Sequence, residues 1–150
     1  MTLQDISALS QIVSGLAVVA SLVFVGLQIR QNTRATQAAS HHAVSEALNR
    51  VNLSWAENAD VTRIWIAGRD DRQALTEEER WRFDSAMRAY FHVVETMFVQ
   101  AGLGAGDKDI LAAEENAIRG ALAFPGVREW WLENTFGFCG AFRGYVGGLM

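Results

Sequence analysis

From Ile6 to Ile29, between Asp5 and Arg30, the chain runs 24 residues without a charge. As a helix rising about 1.5 Å per residue the run covers about 36 Å. A hydrocarbon core about 30 Å thick needs about 20 residues to cross it. The centre, residues 12–29, holds eleven Ile, Val, Leu and Phe residues, each favouring insertion by about 0.3–0.6 kcal/mol and together by roughly 3–7 kcal/mol. A helix also satisfies its own backbone, as hydrocarbon demands. Two other readings compete. A buried helix of a soluble bundle needs apolar partners all round, and the remaining sequence supplies few helices that apolar. A cleaved signal peptide wants a basic n-region, a short apolar core and a small-residue cleavage site. Here the n-region carries Asp5 and no Lys or Arg, and Arg30-Gln31-Asn32-Thr33-Arg34 leads on in helix-compatible sequence. The expectation is an uncleaved transmembrane anchor over residues 1–30 and a helical cytoplasmic domain over 31–150.

Basic residues orient the anchor. Arg30, Arg34 and Arg50 follow the span and none precedes it. The positive-inside rule therefore puts Met1 outside and the C-terminal body in the cytoplasm, in a single pass through the inner (plasma) membrane. The lone cysteine, Cys139, leaves no internal pair to oxidise and agrees with a reducing compartment.

One face of the span is polar. Ser7, Ser14, Ser21 and Gln28 recur every seven residues, and Ser10, Ala17, Phe24 and Gln31 repeat the period three residues on. This is an a/d seam, small and polar apart from Phe24. In lipid such seams let helices approach closely and hydrogen-bond to one another. The plainer alternative is that each serine bonds back to its own helix. Ala35, Ala38, His42, Ser45, Asn49 and Asn52 continue the row below the span, opposite an apolar stripe of Val44, Leu48, Val51 and Trp55. No Gly or Pro interrupts Thr33 to Trp55, so the spanning helix is expected to continue unbroken into a long helix.

The rest reads as all-α, with short helices separated by turn signals. A helix fits Asn58 to Ala67, capped by Asn58 or Asp60 and ended by Gly68. The segment Arg69-Asp70-Asp71-Arg72 reads as an exposed charged loop. Thr76 with Glu79 forms a capping box for a helix carrying Phe83, Met87, Tyr90, Val94, Met97 and Ala101 as its core stripe. Gly102 to Gly106 break it, and Asp107 or Asp109 caps the next helix. Pro125-Gly126 opens a short helix with Trp130 and Trp131. The end of the chain, Phe136 to Met150, holds five glycines, three phenylalanines and one charge. Its aromatic residues suit either the core of a small domain or the membrane interface, where amphipathic rings settle. Gly140, Gly144 and Gly148 suit a close-packing face.

The chain resembles an uncharacterised family of small bacterial single-span membrane proteins with an all-helical cytoplasmic domain. The likeness rests on Leu27-Gln28-Ile29-Arg30-Gln31-Asn32-Thr33-Arg34, on Leu75-Thr76-Glu77-Glu78-Glu79-Arg80, and on Pro125-Gly126 followed by Trp130-Trp131. The glycine-rich end departs from that family's more polar ending. The resemblance implies architecture and carries no activity.

Catalytic and metal chemistry find little footing. His92 and Glu95 are one turn apart, and a di-metal carboxylate site draws such pairs from several helices. Glu114 and Glu115 offer carboxylates, but no second Glu/His pair exists. His42 and Glu46 at i, i+4 make at most a weak surface zinc pair. No nucleophile motif, P-loop or Gly-x-Gly-x-x-Gly after a strand is present. The formal net charge of −4 argues against nucleic acid. No catalytic, cofactor or metal site is therefore expected. The expected partners are the bilayer and either further copies of the chain or another membrane protein. The expected function is a structural or interaction protein that self-associates through Ser7, Ser10, Ser14, Ala17, Ser21 and Gln28. A channel-like homo-oligomer lined by the same polar row, or an accessory subunit of a larger membrane complex, is the alternative.

Overall fold

A computed structural model describes residues 3–150, apart from the side chains of Leu3, Asp5, Ile6, Ala8 and Leu9. Six helices follow one another: α1 (Leu3–Ala56), α2 (Ala59–Asp70), α3 (Glu77–Gly102), α4 (Lys108–Leu122), α5 (Pro125–Asn134) and α6 (Gly140–Gly147). Single 3-10 turns at Arg72–Ala74 and Thr135–Gly137 join them, and no strand occurs among the described residues. The fold is all-α. The chain divides into two compact units, one ending at Ala38 and one from Ala39 to Met150.

The first unit is helix alone. Its apolar side chains from Ile12 to Ile29 are 47–66% exposed. The most apolar 18-residue window of α1 reaches a mean hydropathy of 2.3 with none of it buried. By length and composition this helix is able to cross a membrane.

The second unit begins with the lower part of α1, where Val44 is buried and Leu48, Val51 and Trp55 are half-buried. The stripe of residues 44–55 is thus an inward face, as its spacing predicts. Asn58 ends the link to α2 by accepting the N–H groups of Asp60 and Val61 at 3.0 and 3.3 Å. Gly68 does not end α2, which runs on to Asp70 with Asp71 as its C-cap. The glycine marks a crossing instead. A Cβ on Gly126 would lie 1.9 Å from the Gly68 carbonyl oxygen, and a Cβ on Gly68 would lie 2.6 Å from the Phe83 ring. Helices α2 and α5 meet there backbone to backbone, and the Phe83 ring of α3 packs onto Gly68, which leaves room only for glycine.

The capping box of α3 is complete. The Thr76 N–H donates to Glu79 at 3.0 Å and the Glu79 N–H donates to Thr76 Oγ1 at 3.3 Å. The core stripe of α3 runs through Phe83, Met87, Phe91, Val94, Met97 and Ala101. The 4-3-4-3 spacing predicts Tyr90 where the core holds Phe91. A strict 4-3-4-3 step drifts from the 3.6-residue turn over a helix this long, and one position slips to its neighbour. Gly104, at φ +71°, turns the chain between α3 and α4. Asp107, accepting the Asp109 N–H at 2.8 Å, caps α4.

The aromatic end of the chain builds the core. Phe91 lies 5.4 Å from Trp130 and 4.8 Å from Trp131, ring centre to ring centre. Phe138 and Phe142 close round them at 5.1 and 5.9 Å from Trp131. Val146 and Leu149 are buried beside them. Phe136 alone of the tail phenylalanines is strongly exposed, at 76%. Gly140, Gly144 and Gly148 are exposed and meet no other helix.

Candidate functional site

The first unit presents one chemical feature, the seven-residue polar row. Ser7, Ser10, Ser14, Ala17, Ser21 and Gln28 are all exposed, as is Phe24 between them. The 3.5-residue mean spacing places them along one side of α1. Thr33 turns its hydroxyl back onto the Ile29 carbonyl at 2.9 Å. Among the described residues, Ser14 and Ser21 make no such bond, so both hydroxyls are free to reach a neighbouring helix. Below the span Ala35, Ala38, His42, Asn49 and Asn52 are exposed, while Ser45 is half-buried against a small hollow it shares with His41 and Val44.

The second unit concentrates its polar chemistry on Arg72. The charged run Arg69-Asp70-Asp71-Arg72 predicts an exposed loop, yet Arg72 is only 6% exposed. Its guanidinium meets Asp84 through two bonds of 2.8 Å, Glu133 at 2.7 Å and Glu129 at 3.1 Å. The fork of donors on arginine suits such a cluster and a lysine would not. The Asp84 bonds chiefly, against the cost of burial, hold its pKa above the ordinary arginine value. Gln73 also bonds to Glu129. The cluster therefore ties the turn after α2 to α3 and α5. Its partners lie 12 to 61 residues away in sequence, so no local pattern announces them. The nearest sequence signal is Glu129 and Glu133 at i, i+4, a like-charge pair that asks for a cation.

The pair His92 and Glu95 has a structural partner. Glu95 accepts the Cys139 N–H at 2.7 Å, at the start of α6, and meets His92 Nδ1 at 3.2 Å. Burial pushes the Glu95 carboxyl up, but the Cys139 and His92 bonds outweigh it and leave it below the usual carboxylate range. The carboxylates of α4 are engaged elsewhere. Tyr90 donates to Glu114 at 2.7 Å, and Arg119 and Tyr145 hold Glu115 at 2.9 and 3.4 Å. Burial first, then Glu114, pushes the Tyr90 hydroxyl well above its ordinary value. Glu46 pairs with Arg50 at 2.6 Å. Among the described residues no group of three or more His, Cys, Asp or Glu is placed to hold a metal ion.

A half-open cavity of about 250 Å³ lies between the end of α1, α2 and α3. Trp55 and Trp65 stand on apolar stripes of separate helices, and no spacing in the sequence joins them into a wall. They stack at 4.9 Å and 9°. Comparison with known protein families, with curated proteins and with solved structures finds no match to this chain.

Proposed function

We propose that the chain is a membrane-anchored structural or interaction protein. It self-associates through the seam of Ser7, Ser10, Ser14, Ala17, Ser21 and Gln28. It spans the inner membrane once, with Met1 outside and the helical body in the cytoplasm. One observation carries the reading: the apolar helix surface up to Ile29 has no cover from its own chain, and a seven-residue row of small polar side chains runs along it. Lipid is the cover that apolar surface calls for. Within lipid a serine hydroxyl that does not bond back to its own helix finds its hydrogen-bond partner on another one. The resemblance to small bacterial single-span proteins points the same way.

Disulfide trapping tests the interface in native membranes. In a Cys139→Ser background, Ser14→Cys and Ser21→Cys are expected to give crosslinked dimers on oxidation. Ile12→Cys and Val19→Cys, on the opposite face, are expected to give few. Equal crosslinking from both faces removes the seam. Orientation is tested with the native Cys139, which is exposed. A membrane-impermeant maleimide is expected to label it only after the membrane is opened, and labelling in intact cells reverses the topology.

A further inference from the structure

We propose that the cavity at Trp55 and Trp65 is a binding site for a medium-chain amphiphile with a carboxylate head. One wall is a run of stacked rings, Trp55 on Trp65 at 4.9 Å and Trp65 near Phe83 at 5.9 Å and 16°. The Thr62 hydroxyl donates to the Trp55 carbonyl and fixes the turn that presents this wall. Val61 and Ile64 add aliphatic surface. A volume of about 250 Å³ is far more than a single water, at roughly 30 Å³, needs. Water gains little from such walls, since it wants two to four polar partners. A site of few polar groups in an apolar lining is the usual form of a small-ligand pocket.

The polar groups on the lining choose the head. Ser54 already spends its hydroxyl on the Val51 carbonyl at 2.7 Å. Among the described residues Arg82 is the one charged side chain on the lining, with Ser85 one turn further along α3. Its guanidinium bonds Glu78 at 2.6 Å but is 48% exposed, leaving donors for a second carboxylate. Among the described residues no acidic side chain lines the cavity, so an ammonium head would gain only ring contacts and would meet the Arg82 guanidinium with like charge. Trp81, 72% exposed at the mouth, covers the chain where it enters.

The inference stands whether or not the N-terminal helix self-associates. The test uses the full chain in nanodiscs of zwitterionic lipid, so that no detergent competes, with octanoate as the probe and tryptophan emission as the readout. A saturable change is expected with octanoate and a markedly weaker one with octyltrimethylammonium, which keeps the tail and ring contacts but meets Arg82 with like charge. Arg82→Gln is expected to weaken octanoate by about fivefold, the loss of one charge-assisted bond at a half-exposed site. Ala86→Leu, which fills the cavity, is expected to abolish the response with helical content kept. A response that rises without saturating, an equal response to the cation, or wild-type affinity in Arg82→Gln overturns the proposal. Arg82→Gln decides the case if Ala86→Leu fails to fold.

Discussion

Two stretches of helix in this chain have opposite surroundings. From Ile12 to Ile29 every large apolar side chain is about half exposed or more. In the body, Phe91, Trp130, Phe142 and Val146 are completely buried. The contrast is not one of composition alone, since both stretches are rich in apolar residues. It lies in where the cover comes from. The body covers its aromatic side chains with each other; the large apolar side chains of residues 12–29 are exposed. Substitutions in the body should therefore act on folding, and substitutions in the helix on assembly, with little exchange between the two.

The largest expected effect is in the aromatic core. Trp130→Ala should destabilise the body by about 4 kcal/mol in chemical denaturation. Trp130→Phe should cost far less, because the indole N–H has no hydrogen-bond partner among the described residues. Next comes Arg72→Met. It leaves Asp84, Glu129 and Glu133 facing one another without their cation, and should cost about 3 kcal/mol. Gly126→Ala should cost about 2 kcal/mol by forcing α5 off the Gly68 carbonyl. A melting temperature unchanged by either would mean that the body is held together otherwise.

Smaller effects sharpen the same contrast. Thr76→Ala should cost about 1 kcal/mol through the lost cap. Glu79 is its pH-dependent half. The Thr76 N–H first, then Arg63 and the Thr76 hydroxyl, lower its pKa to about 2. A depressed carboxylate contributes stability that is complete above its unfolded value of about 4.3. That contribution is lost as pH falls through that value toward 2. Glu79→Gln should flatten this part of the acid-unfolding curve, read by circular dichroism between pH 5 and 2. Ser14→Leu with Ser21→Leu should leave every one of these body values unchanged.

How much was legible in the sequence follows the same divide. The long helix and the capping box at Thr76 were readable, and the cap of α4 was narrowed to Asp107 or Asp109, because each depends on neighbours within a few residues. The destination of the C-terminal aromatic residues was not. Trp131 and Phe138 pack against Phe91, far earlier in the chain, and Phe142 joins the same core. Glu95, 44 residues before Cys139, accepts its N–H at the start of α6. Gly68 looked like a helix stop, since a glycine needed for close approach and one needed for a turn are the same letter in a sequence. Arg72 looked solvated because its charges are balanced by α3 and α5 and not by its own segment. The seam of Ser7, Ser14, Ser21 and Gln28 is periodic and so visible, but the partner we propose for it would lie outside the chain.

The most direct test of that last point is the native mass of the full chain in mild detergent, with the detergent contribution separated, for the wild type and for Ser14→Leu with Ser21→Leu. The account predicts one homo-oligomeric mass for the wild type and a smaller one for the double variant. A monomeric wild type, a mass that includes a second protein in fixed ratio, or an oligomer indifferent to both substitutions would contradict it.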